Sequence, residues 1–138
     1  VMSALGSQEY RIHTACDGFG GLAQALAEPP DLVISDIVMP GMSGWRLVRK
    51  LRSQRRLART PFMFLTRLAS PETRRHSFRL GADDFVTKPC HPRELELRVA
   101  GLLRRARLPS PTSRACADRL AEAHGRGLGG TIEDISLA

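Results

Sequence analysis

The chain has 138 residues, 42% hydrophobic content and a net charge of +7, which suits one globular domain with its own core and excludes a chain disordered throughout. No apolar run reaches the ~18 residues of a membrane span, and the N-terminus lacks the charged-then-apolar order of a secretory signal, so a cytoplasmic protein with no membrane partner is expected. Cys16, Cys90 and Cys116 are odd in number and far apart, which fits neither a disulfide framework nor a CxxC site. The histidines never recur at i, i+4, so no structural metal is expected.

In chain order, residues 1–8 read as a helix end, Tyr10–Ala15 as a strand, and Phe19–Glu28 as a short helix that Pro29 and Pro30 terminate. Asp31–Asp36, DLVISD, is a near-continuous apolar run closing on a carboxylate, the pattern of a central parallel strand buried on both faces. The loop VMPGMSG follows. Trp45–Gln54 then places Trp45, Leu47, Val48 and Leu51 on one helical face with arginines opposite.

Pro61–Thr66 is a second buried strand. Ser70-Pro71-Glu72 opens the next helix with a cap residue, a proline at the first helical position and an early acid, and Gly81 stops it. Asp84–Thr87 is a short strand, Lys88-Pro89 a turn, and Pro92–Arg107 a helix with Leu95, Val99, Leu102 and Leu103 facing inward. Alternating strands and helices imply a doubly wound parallel α/β sheet with helices on both faces. Leu108–Ser113 has linker composition, and Arg114–His124 has the pattern of one more helix. Gly129–Ala138 opens a segment that the chain does not finish.

The positive charge is mostly arginine, at Arg46, Arg49, Lys50, Arg52, Arg55, Arg56 and Arg59 and again at Arg104, Arg105 and Arg107. No aromatic residues interleave as stacking platforms, so these residues read as solvated helix faces and nucleic-acid binding is not indicated.

An aspartate at the C-terminal end of a parallel strand sits where open α/β sheets bind ligands, which suits Asp36 to act as a nucleophile. Taken alone, such a residue more often caps a turn. The sequence SDIVMPGMSG, however, resembles the phosphoacceptor loop of response-regulator receiver domains of two-component signalling, with Asp36 as acceptor, then Met39-Pro40, then Gly44. Thr66 at the end of the next strand and Lys88, followed by Pro89, after the last strand match the family's other phosphoryl-contacting positions, and Phe85 matches its aromatic switch. The resemblance covers residues 1–107 and implies a flavodoxin-like receiver fold, not an enzyme in its own right. The implied donor is a sensor histidine kinase or phosphotransfer protein, and the implied cofactor is Mg²⁺ at Asp36. A homodimer through the fourth helix, last strand and last helix is a further implied partner; that face carries Arg74, Arg75, His76, Arg79, Arg93 and Arg98.

Physically the set is coherent, because a carboxylate attacking phosphorus gathers negative charge that Lys88, the Thr66 hydroxyl and nearby backbone amides can offset. The sequence departs from the family in three ways. Arg67 stands where a small residue usually follows the threonine, and Cys90 replaces an aromatic. The family's first strand, with its acidic residues, is expected to be missing, which leaves Tyr10–Ala15 and Asp31–Asp36 without the strand between them and Asp36 without its metal-binding partners. Asp83 and Asp84 precede the last strand and fall at the opposite sheet edge, and Asp17 reads as a helix cap. GGTIEDISLA resembles the opening of small domains fused behind receivers. The alternative function is a pseudo-receiver, an interaction module independent of phosphorylation. A haloacid-dehalogenase phosphatase is disfavoured because Val38 stands where that chemistry needs a second aspartate.

Overall fold

In the computed structural model, which describes residues 10–108 and 133–137, strands and helices alternate as the hydrophobic pattern requires. The order is β1 (Tyr10–Thr14), α1 (Gly18–Ala27), β2 (Leu32–Ser35), α2 (Gly44–Ser53), β3 (Phe62–Thr66), α3 (Pro71–Arg79), β4 (Asp84–Thr87), α4 (Pro92–Arg107) and β5 (Glu133–Leu137). Each of the expected elements between Tyr10 and Arg107 is present within a residue or so of its expected ends. The expected helices at residues 1–8 and 114–124 lie outside the described residues.

Local chemistry sets the helix starts. Asp17 caps α1 by accepting from the Gly20 amide at 2.7 Å, Ser43 caps α2, and Ser70 caps α3 ahead of Pro71 and Glu72. His91 caps α4, its Nδ1 accepting from the Arg93 amide at 3.1 Å.

The strands form one five-stranded sheet in the order β1-β5-β2-β3-β4, parallel throughout. This is the doubly wound α/β architecture expected, with one correction. The strand between β1 and β2 was expected to be missing, and residues 133–137 were expected to begin a separate segment. Instead they occupy that slot, Tyr10 pairing with Glu133 and Thr14 with Leu137 on one side, and Leu32 with Ile135 and Ile34 with Leu137 on the other. The physical reason is that an open slot leaves two strands with unpaired amides and carbonyls, and EDISL presents an apolar residue, Ile135, fully buried between them.

Two apolar layers sandwich the sheet. Leu95, Val99, Leu102 and Leu103 of α4 cover Leu32, Ile34, Met63, Leu65, Val86 and Ile135. On the other face Ala25 of α1 and Leu47, Val48 and Leu51 of α2 pack with Val33, Phe62, Phe64 and Phe85. Alternate residues of β2 and β3 therefore point to opposite cores, which explains runs that are apolar up to their last residue, Ser35 and Thr66.

Arg52 departs from the reading of the arginines as solvated faces. Its guanidinium donates to the carbonyls of Gly81 (2.9 Å), Thr60 (2.7 Å) and Leu57 (3.3 Å) and pairs with Asp83 at 3.0 Å. It staples the C-terminal part of α2 to the loops before β3 and β4. Asp83 also accepts from the Phe62 amide at 2.8 Å.

Candidate functional site

Parallel strands deliver their C-terminal ends to one edge, and the expected site residues meet there. Asp36 follows β2 directly. Its Oδ1 accepts from the amides of Ile37 (2.6 Å) and Val38 (3.3 Å), and its Oδ2 accepts from Lys88 Nζ at 3.0 Å. Lys88 follows β4 and is set in place by its own amide, which donates to the Thr66 carbonyl at 2.7 Å and extends the β3–β4 ladder by one bond. The Thr66 side chain, at the end of β3, is buried, and its Oγ1 accepts from the Leu68 amide at 3.3 Å.

Burial pushes the Asp36 carboxyl up, but hydrogen bonds from Lys88 and Thr66, the Lys88 charge and the Ile37 amide outweigh it, so its pKa lies below the usual 3.8. The carboxylate is therefore ionised and partly exposed, an available oxygen nucleophile with a cation and donors already directed at it.

The acceptor loop needs its glycines. Gly41 has φ +74°, and a Cβ at Gly44 would overlap the Asp36 carbonyl and press on Phe64. Gly44 also donates to the Ile37 carbonyl at 2.8 Å, closing the turn that leads into α2.

Phe85 lies three residues before Lys88 on β4 and faces inward, 1% exposed, with its ring centroid 6.4 Å from that of Phe64. The Arg74 guanidinium of α3 sits 5.1 Å from the ring centre, a cation–π contact that sequence reading missed because nothing in the helical pattern marks it. Trp45 of α2 also reaches α3, donating to the buried Ser77 hydroxyl at 3.0 Å. On the α3–β4–α4 face, Arg98 is committed to Asp84 (2.9 and 3.1 Å) and Glu94 (3.1 Å).

A divalent cation would need several hard oxygen ligands around Asp36, and the described residues do not provide them. No group of three or more His, Cys, Asp or Glu side chains that could hold a metal occurs among them. Asp83 and Asp84 lie at the far edge, at the start of β4, as the sequence suggested. Asp17 is engaged as a cap. The register places Glu133 and Asp134 of β5 beside Tyr10 and Arg11, at the sheet's N-terminal edge, and pairs Leu137 with Ile34.

Comparison with known proteins gives a consistent answer. The family model described as response regulator receiver domain matches residues 1–100. The alkaline phosphatase synthesis transcriptional regulatory protein PhoP of Bacillus subtilis is 35% identical over 111 residues, covering 80% of this chain and 45% of that protein. Thus the chain spans less than half the length of this curated relative. Among solved structures, the signal receiver domain of a signal transduction histidine kinase from Syntrophus aciditrophicus superposes with TM-score 0.71 at 34% identity, covering 80% of this chain and 83% of that one. The receiver domain of the sensor histidine kinase PA1611 from Pseudomonas aeruginosa PAO1 has a magnesium ion coordinated in its active-site cleft. It superposes with TM-score 0.68 at 26% identity, covering 73% of this chain and 83% of that one.

Proposed function

The chain belongs to the response regulator receiver domain family, and on that premise we propose that Asp36 accepts a phosphoryl group from a phosphohistidine of a sensor kinase or phosphotransfer protein. The carrying observation is the three-strand convergence in which an ionised Asp36 is held by two backbone amides and Lys88, with the Thr66 hydroxyl beside it.

In the transfer an Asp36 carboxylate oxygen forms a bond to phosphorus, the P–N bond breaks, and the donor imidazole leaves with that electron pair. The amides of Ile37 and Val38 fix the carboxylate so that only one orientation meets the donor, which removes a rotational cost from the reaction. Lys88 Nζ follows the negative charge from carboxylate to phosphoryl oxygen, and Thr66 donates to a second oxygen. Mg²⁺ is the family's usual partner in this step, but no role is assigned to it here because the described residues do not surround Asp36 with ligands. The receiver unit is assigned to residues 1–107.

The readout proposed for this chemistry is a change in packing around Phe85, between Thr66 and the α3–β4–α4 face, which serves as the surface for a second copy or an effector. A phosphorylation-independent interaction module is the competing reading, favoured only by the absence of a metal-binding group among the described residues. Incubation with a phosphorylated kinase separates the two. We expect acid-stable, hydroxylamine-labile label that Asp36→Asn abolishes, whereas undiminished label in that variant refutes the assignment.

A further inference from the structure

The outer side of α2 and the turns after it carry a run of cations that the acceptor site does not use. Leu47, Val48 and Leu51 are buried against the sheet, which turns Arg46, Arg49 and Lys50, spaced i, i+3 and i+4, away from it as one stripe, the two arginines exposed and Lys50 partly so. Two successive turns follow, closed by the Leu57 amide on the Gln54 carbonyl and the Thr60 amide on the Leu57 carbonyl, and they present Arg55, Arg56 and Arg59 at the surface. The turns are fixed in place, because Leu57 is fully buried in the apolar layer of α2 and Arg52 donates to the Leu57 and Thr60 carbonyls. None of the six surface cations forms an ion pair with a described residue. No Asp or Glu occurs between Asp36 and Glu72, and Asp83, which does reach α2, is taken by Arg52 and the Phe62 amide.

We propose that this face binds the phosphate backbone of double-stranded nucleic acid without reading its sequence. A protein partner is ordinarily held by a buried aromatic or aliphatic anchor, and a bilayer by apolar side chains that enter it. None of the large exposed hydrophobic residues falls within residues 44–60. Single strands need aromatic stacking platforms, and Trp45, the one aromatic residue of this segment, is engaged with Ser77 and His76. A duplex needs neither anchor nor platform, since its phosphates lie outermost at about one charge per 1.7 Å of axis. The ten residues of α2 span about 15 Å, so several phosphates fall within reach of the stripe and the turns beyond it. Five of the six cations are arginines, whose planar fork matches paired phosphate oxygens. Nothing in this requires phosphoryl transfer to Asp36.

The test is fluorescence anisotropy of the full chain with labelled 20-base-pair DNA duplexes of two unrelated sequences, titrated at several salt concentrations. Equal affinity for both sequences is expected, with log K falling against log salt at a slope of about −3 to −4, the value for about four phosphate contacts, so that binding weakens about a hundredfold between 50 and 200 mM KCl. The double variant Arg49→Gln/Arg56→Gln should make the slope shallower by about two. Arg104→Gln/Arg105→Gln, which removes the same charge from the end of α4, should change the slope by less than one, and far-UV circular dichroism checks that both variants stay folded. Equal weakening in the two double variants would show an effect of net charge rather than of this face and would overturn the proposal. So would binding to single-stranded oligothymidine, a glutamate-rich peptide or phosphatidylserine vesicles as tight as to the duplex, or no duplex binding at 50 mM KCl.

Discussion

Replacing Ile135 with alanine distinguishes a central strand from a loose tail. Ile135 is fully buried, paired with Ile12 on one side and Leu32 on the other, and in the same apolar layer as Val99 and Leu102. The substitution removes three side-chain carbons. At about 0.8 kcal/mol each this forfeits about 2.4 kcal/mol of transfer free energy, and the cavity left between two strands raises the cost to about 3–4 kcal/mol. With a urea slope of about 2 kcal/mol/M for a domain of this size, the unfolding midpoint should fall by about 1.5–2 M. The sole tryptophan, Trp45, reports the transition by fluorescence, with far-UV circular dichroism as the second probe. Leu108→Ala, at a position 65% exposed, is the control and should change stability by no more than about 0.5 kcal/mol. A midpoint for Ile135→Ala indistinguishable from that control would mean that residues 133–137 do not hold the sheet together.

Three further outcomes follow from the geometry. Lys88→Met should raise the Asp36 pKa towards its ordinary value, because the ion pair and hydrogen bond oppose burial. Since the folded-state pKa is depressed, Asp36 contributes stability that is present above its unfolded pKa and lost as pH falls through the folded one. That acid-side dependence should shrink in Lys88→Met, as followed by carboxyl ¹³C titration and unfolding at pH 2–5. Mg²⁺ titration of this chain should show no binding at Asp36 in the millimolar range, and millimolar or tighter binding there would show that the ligand set has been misjudged. Arg52→Met should cost roughly 2–4 kcal/mol in urea unfolding, because it strands the Gly81, Thr60 and Leu57 carbonyls and the Asp83 carboxylate.

The legible parts of the fold were those in which local pattern and tertiary role agree. DLVISD and PFMFLT announce buried parallel strands because both of their faces meet apolar layers, and Ser70-Pro71-Glu72 announces a helix start because cap, fixed φ and dipole coincide. Asp36, Thr66 and Lys88 were legible as a set because three parallel strands bring their ends to one edge. The role of residues 133–137 was not legible. A short strand of mixed polarity carries no signal of its partners, and its pairing is a long-range event closed over the segment that follows Leu108. Arg52 and Arg74 were hidden for a related reason, since a helical arginine reads as solvated until its carbonyl or aromatic partner, tens of residues away or on another element, is known.

The most direct test of the phosphoacceptor claim is to locate the label. The full chain is incubated with a phosphorylated kinase, reduced with borohydride to convert any aspartyl phosphate to homoserine, digested and sequenced by mass spectrometry. The account predicts homoserine at position 36 and nowhere else, dependent on prior phosphorylation. Homoserine at another aspartate with Asp36 intact, or phosphate mapped to a serine, threonine or histidine, would contradict it.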